Sequence, residues 1–96
     1  MKYSNSEIGR LRLDLFLKRS RLVKRRSLAS LLCDNGYVLL NQKPSPPGKA
    51  VKPGDHIEVR YARHLVRIEV LSIPKDSGKN QECYTLLERE EIEEEF

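Results

Sequence analysis

Apolar residues change their spacing along this chain, and each spacing predicts a different element. From Arg12 to Ser20, Leu13, Phe16 and Leu17 follow the i, i+3, i+4 rule that gathers them on one helical face, with Asp14 and Lys18 one turn apart on another. A short amphipathic helix is predicted there. A second is predicted from about Arg25 to Asn35, where Leu28, Leu31 and Leu32 repeat the rule and Gly36 supplies a residue suited to a left-handed cap. Residues 21–24 join the two.

After Gly36 the period shortens. Tyr37 to Leu40 is a β-prone run closed by Asn41-Gln42, and Ile57 to Tyr61 alternates with period two. Between them Pro44, Pro46, Pro47 and Gly48 favour extended or turn backbone, and Lys52-Pro53-Gly54-Asp55 is a strong turn signal. Leu65 to Ile73, with Val66, Ile68 and Val70 alternating against Arg67 and Glu69, is the best strand pattern, and Pro74 ends it. Met1 to Arg10 lacks periodicity and reads as a leader. Residues 11–73 then form the domain, residues 74–82 a polar linker, and residues 83–96 an acidic tail. Within that tail Tyr84, Leu86 and Leu87 predict a short strand or helix that docks briefly before the glutamates become solvated.

The chain has 96 residues, 39% of them apolar and none of them Trp, which suffices for one small domain. No run of about 18 apolar residues is present to span a bilayer, and the start is too polar for a signal peptide, so a cytosolic protein is expected. Cys33 and Cys83 form neither a disulfide framework nor a metal cluster by spacing, and read as reduced thiols. The net charge of +4 is unevenly spread: eight basic residues between Arg10 and Arg26 face only Asp14, while seven glutamates after Gln81 face only Arg89. The basic end suits a polyanion, whether RNA, DNA or an anionic membrane surface. A membrane surface would need an apolar face beyond Leu13, Phe16 and Leu17, which the core requires.

Catalytic chemistry is not visible. Asp14 at i, i+4 from Lys18 reads as structural, His56 and His64 sit beside strands without ligands at metal spacing, and no nucleophile, base and orienting group come together. Phe16 and Tyr37 read as core residues, whereas Tyr61 suits either a core or a base-stacking role.

The order of these elements, carried by Arg12-Leu13-Asp14, Gly36-Tyr37-Val38, Asn41 and Lys52-Pro53-Gly54-Asp55, resembles the S4 RNA-binding domain. The run from Ser20 to Ala29, the strand at Leu65-Val66 and the Tyr84-Thr85 ending are similar to the stand-alone RqcP family of bacterial ribosome-associated quality control. The resemblance implies an α+β fold: a single small S4-type domain whose two short helices form a basic αL motif packed on a small antiparallel sheet. It implies a monomeric, non-enzymatic RNA-binding adaptor without cofactor. Its partners would be large-subunit rRNA, peptidyl-tRNA and RqcH, whose alanine tailing it would support. Related small S4-type heat-shock proteins act on obstructed large subunits but end in longer, more basic tails, whereas this tail is acidic. A third reading is an accessory RNA-binding subunit of an RNA-modifying enzyme, since pseudouridine synthases and methyltransferases also carry S4 domains.

Three features depart from the S4 pattern. The usual Ser-Arg opening the second helix is Arg25-Arg26, the usual Asn-Gly turn is Asn41-Gln42, and the leader is longer. The candidate RNA-binding residues are Arg12, Lys18, Arg19, Arg21, Lys24, Arg25 and Arg26, with Arg25 and Arg26 foremost because they open a helix whose N–H groups also face an anion. Arginine suits the task, since its planar fork grips a phosphate at two points and stacks on unpaired bases.

Overall fold

Two helices lie across one face of an antiparallel sheet, as the two apolar periods require. The computed structural model describes residues 10–76 and 82–91. The expected leader before Arg10, residues 77–81 of the expected linker and the last five residues lie outside that range.

A two-residue strand β1 (Leu11–Arg12) leads into helix α1 (Leu13–Arg19), and pairs antiparallel with β4 (Ala50–Val51). No side chain caps α1. Instead its first N–H groups find backbone carbonyls: Leu13 donates to Lys49 O at 2.8 Å and Asp14 to Pro47 O at 3.0 Å. The proline-rich segment therefore serves as the helix cap, because it offers carbonyls at the point where a helix lacks acceptors for its leading donors. At the other end Arg21 takes φ +68 and donates to Lys18 O, the place usually given to glycine.

Helix α2 (Arg26–Asp34) closes in a Schellman arrangement: Gly36 at φ +80 donates to Cys33 O and Tyr37 donates to Leu32 O. The chain then enters the main sheet, of order β3-β2-β5-β6-β7, built from β2 (Val38–Leu40), β3 (Lys43–Pro44), β5 (His56–Tyr61), β6 (His64–Val70) and β7 (Tyr84–Glu91). Asn41-Gln42 makes a tight turn with both residues at positive φ even without the usual glycine. Asn41 holds it, donating to Asp55 Oδ1 at 3.1 Å and accepting the His56 N–H at 2.9 Å. Asp55 also accepts the Lys52 N–H at 2.9 Å and pairs with Lys52 Nζ at 3.0 Å, so one buried carboxylate joins the hairpin to the Pro53-Gly54 turn. Burial pushes the Asp55 carboxyl up, but the Lys52 N–H, the Asn41 amide and the Lys52 ammonium outweigh it and hold the group below its ordinary range.

The core lies between the helices and one sheet face. Leu13, Phe16 and Leu17 of α1 and Ala29, Leu32 and Cys33 of α2 are buried against Val38, Leu40, Val51, Ile57, Val59, Ile68 and Val70. Full burial contributes roughly 1.5–3 kcal/mol for each large side chain among them.

Three expectations change. Tyr37 is 51% exposed rather than core, since the Schellman turn carries it past the end of α2. The predicted strand to Ile73 stops at Val70, because Leu71 and Ser72 turn their N–H groups to Cys83 O. The glutamate-rich end docks more than briefly, pairing with β6 from Tyr84 to Glu91 around a bulge at Arg67/Ile68. Its glutamates are accepted because Glu88 lies opposite Arg67 on the solvent face, where Arg67 binds both Glu88 and Glu58.

Candidate nucleic-acid interface

The basic segment folds so that the starts of the two helices meet at one carboxylate. Asp14 is only 2% exposed, and Arg12 grips it with a two-point fork, Nε to Oδ1 at 2.9 Å and Nη2 to Oδ2 at 3.0 Å. Arg26, the first residue of α2, approaches the same carboxylate at 3.5 Å. Both arginine side chains remain 48% exposed. Burial pushes the Asp14 carboxyl up, but the Arg12 hydrogen bonds and the charges of Arg26 and Arg12 outweigh it, with help from the Leu15 N–H, and keep it below its ordinary range. The i+4 reading with Lys18 gives way to this pairing. Asp14 sits on the buried face of α1, turned toward α2, while Lys18 lies nearer solvent.

One negative charge thus orients two positive ones, each of which stays half exposed. Beside them Arg25 occupies the N-cap of α2 in extended conformation and forms no side-chain cap, so the leading N–H groups of α2 stay available to an anion. Lys24 and Arg25 are exposed and line a shallow groove with Ser27, Leu28, Leu31 and Tyr61. Arg21, exposed on its left-handed turn, lines an adjoining concavity with Tyr61, His64 and Arg89.

The seven predicted residues therefore do not form one patch. Arg12 and Arg26 share Asp14, Arg25 and Lys24 flank them, and Arg21 borders the groove. Arg19 turns away, donating to Pro74 O at 3.4 Å, which ties α1 to the chain after β6. Lys18 is half-buried along α1. Arg63 of the turn after β5 and Arg89 of β7, which sequence reasoning did not single out, line the concavities beside Tyr61. The signal available was the period-two alternation, which places Tyr61 on the same sheet face as Ile57 and Val59, one step beyond the helices.

Elsewhere charges pair across the sheet. On the outer sheet face Glu58 takes Arg67 at 3.0 Å and Arg60 at 3.4 Å, and His56 stands 3.9 Å from Glu69. Among the described residues no helix is long and apolar enough to cross a membrane, and no group of three or more His, Cys, Asp or Glu is placed to hold a metal ion.

Comparison with known proteins agrees with the fold. The family model for the S4 domain matches residues 11–57, which span both helices, the capping segment and the start of β5. The chain is 41% identical over 87 residues to the RQC P-site tRNA stabilizing factor of Bacillus subtilis, covering 88% of this chain and 100% of that one. It is 42% identical over 64 residues to a protein of the same name from Helicobacter pylori strain J99, covering 67% and 76%. A solved trimeric structure of Vibrio cholerae Heat Shock Protein 15 is similar with a TM-score of 0.73 at 28% identity, over 81% of this chain and 82% of that one.

Proposed function

Since the chain belongs to the family of the RQC P-site tRNA stabilizing factors, we propose that it is a cytoplasmic, monomeric RNA-binding adaptor that engages large-subunit rRNA and peptidyl-tRNA on stalled large ribosomal subunits. In this role it supports alanine tailing of the nascent chain by RqcH. The observation that carries the reading is the Arg12–Asp14–Arg26 clamp beside the open amino end of α2. Its two arginines are held in place by a buried charge while half of each stays exposed, an arrangement suited to phosphates of folded RNA, read by shape more than by sequence. Arg25 and Lys24 extend that surface toward the groove, with Arg21, Lys18 and Arg19 contributing positive field.

The test is co-sedimentation with purified large subunits carrying peptidyl-tRNA. Replacing Arg25 and Arg26 together with alanine leaves Asp14 paired with Arg12, so the fold should persist while subunit binding is lost. Each lost phosphate contact should lower the slope of log affinity against log salt by about 1. Unchanged subunit binding by the double variant contradicts the reading.

The structural likeness to Heat Shock Protein 15 favours a second reading, recycling of obstructed large subunits. The two separate on one measurement. A tailing adaptor makes alanine addition by RqcH depend on this protein, whereas a recycling factor leaves tailing unchanged and alters the amount of obstructed subunits.

A further inference from the structure

Tyr61 stands where three concavities adjoin. It lines the groove with Lys24, Arg25, Leu28 and Leu31. It also lines a hollow with Leu32, Tyr37, Arg60, Arg63 and His64, and a third with Arg21 and Arg89. The alternation of β5 explains the position. Ile57 and Val59 are covered by the helices, and Tyr61, next on the same face, is left 38% exposed at the hairpin end, opposite His64. Around it Tyr37 is 51% exposed and Leu31 56% exposed. The turn residues Ala62 and Arg63 both take positive φ, which sets Arg63 at the tip.

Half-exposed rings and leucines ringed by arginines and lysine describe a particular ligand. A folded duplex offers phosphates but hides its bases, and would leave Tyr61 and Tyr37 without a function. A nucleotide whose base is unpaired offers both a flat apolar face for a ring and a phosphate for a guanidinium. We infer that the hairpin end is a second RNA contact, in which an unpaired base stacks on Tyr61 while Arg63 and Lys24 hold the flanking phosphates. The inference rests on the RNA-binding reading and adds the class of RNA that this end takes. The Asp14 clamp meets paired RNA by its backbone, and the Tyr61 end takes a base that has left its stack.

The test measures fluorescence anisotropy of the full chain with two probes, a short oligouridylate and a fully paired RNA duplex of equal length. Tyr61→Ala should weaken oligouridylate binding by roughly 5- to 140-fold, the range set by loss of one base–aromatic stack. It should leave duplex binding unchanged, while Tyr61→Phe keeps both affinities. Arg63→Glu, on the exposed turn, provides a second variant whose fold is not at risk and should weaken oligouridylate selectively as well. Repeating the comparison with tRNA and with tRNA-free large subunits identifies which RNA supplies the base, by which of the two loses affinity. If wild type binds both probes and neither variant discriminates between them, the inference fails while the RNA-binding reading stands. If wild type binds neither, that reading itself fails. If both variants bind every RNA normally yet lose large subunits, the end contacts a protein and the inference is overturned.

Discussion

Replacing Asp14 with asparagine separates two explanations of the basic surface. The substitution keeps the volume but removes the charge that Arg12 and Arg26 share. Hydrogen bonds to charged groups contribute roughly 1.5–3 kcal/mol each. The asparagine oxygen retains one acceptor, and the arginines, half exposed, regain water, so the net loss should be about 2 kcal/mol. For a domain of this size that lowers the melting temperature by about 8–16 °C. Net charge meanwhile rises by one. If charge alone drove RNA binding, the variant would bind more tightly. If the carboxylate positions the arginines, it should bind structured RNA more weakly despite the extra charge, since each guanidinium must be ordered at the moment of contact. Thermal unfolding followed by circular dichroism, and RNA affinity at two salt concentrations, measure both effects at a temperature where the variant is folded. A melting temperature within about 2 °C of wild type, or affinity that rises with the charge, refutes the positioning argument.

Other consequences follow from the same buried groups. The Asp14 and Asp55 carboxyls titrate below their ordinary range in the folded protein, so their stabilisation is present above about pH 4, the unfolded value, and is lost as pH falls through the depressed folded values. Urea unfolding at pH 7 and near pH 3 should show that loss, and Asp55→Asn should reduce it. Gln42→Gly should relieve the strain of a left-handed turn and stabilise by about 0.5–1 kcal/mol, whereas Asn41→Gly should destabilise because it removes the contacts to Asp55 and His56; chemical denaturation ranks the pair. Burial pushes the Cys33 thiol up to about 11 and the Cys83 thiol up as well, so a thiol reagent at pH 8 should label both only on unfolding, and rapid native labelling would contradict the packing.

What the sequence disclosed followed from periodicity. Leu13, Phe16 and Leu17 marked α1 because a helix has one way to bury that spacing, and Val66, Ile68 and Val70 marked β6 by the same logic for strands. Gly36 marked the end of α2 because a left-handed residue was needed there. The seven basic candidates were visible as a charge excess, but their arrangement was not. The partners of Asp14 lie two residues before it and at the start of another helix, and only packing of α1 on α2 decides between them and Lys18. Arg19 looked like its neighbours until the chain beyond β6 brought Pro74 to it. Tyr37 and Tyr61 could not be sorted by type, since a tyrosine just past a helix or at the open end of a strand has the same sequence context as a core one. The final strand was obscured by its glutamates, whose tolerance depends on Arg67 across the ladder.

The carbonyls that cap α1 have a consequence in time. Leu13 and Asp14 cannot complete their hydrogen bonds, nor β1 its pairing, until Lys49, Pro47 and the strand Ala50–Val51 have been synthesised and folded back. A chain emerging amino end first therefore exposes its arginines long before it can arrange them, and the loop must close before the helix gains its cap. The full geometry around α1 comes into being after residue 47 has been made, so a fragment ending before Pro47 should carry the charge of this surface without its shape.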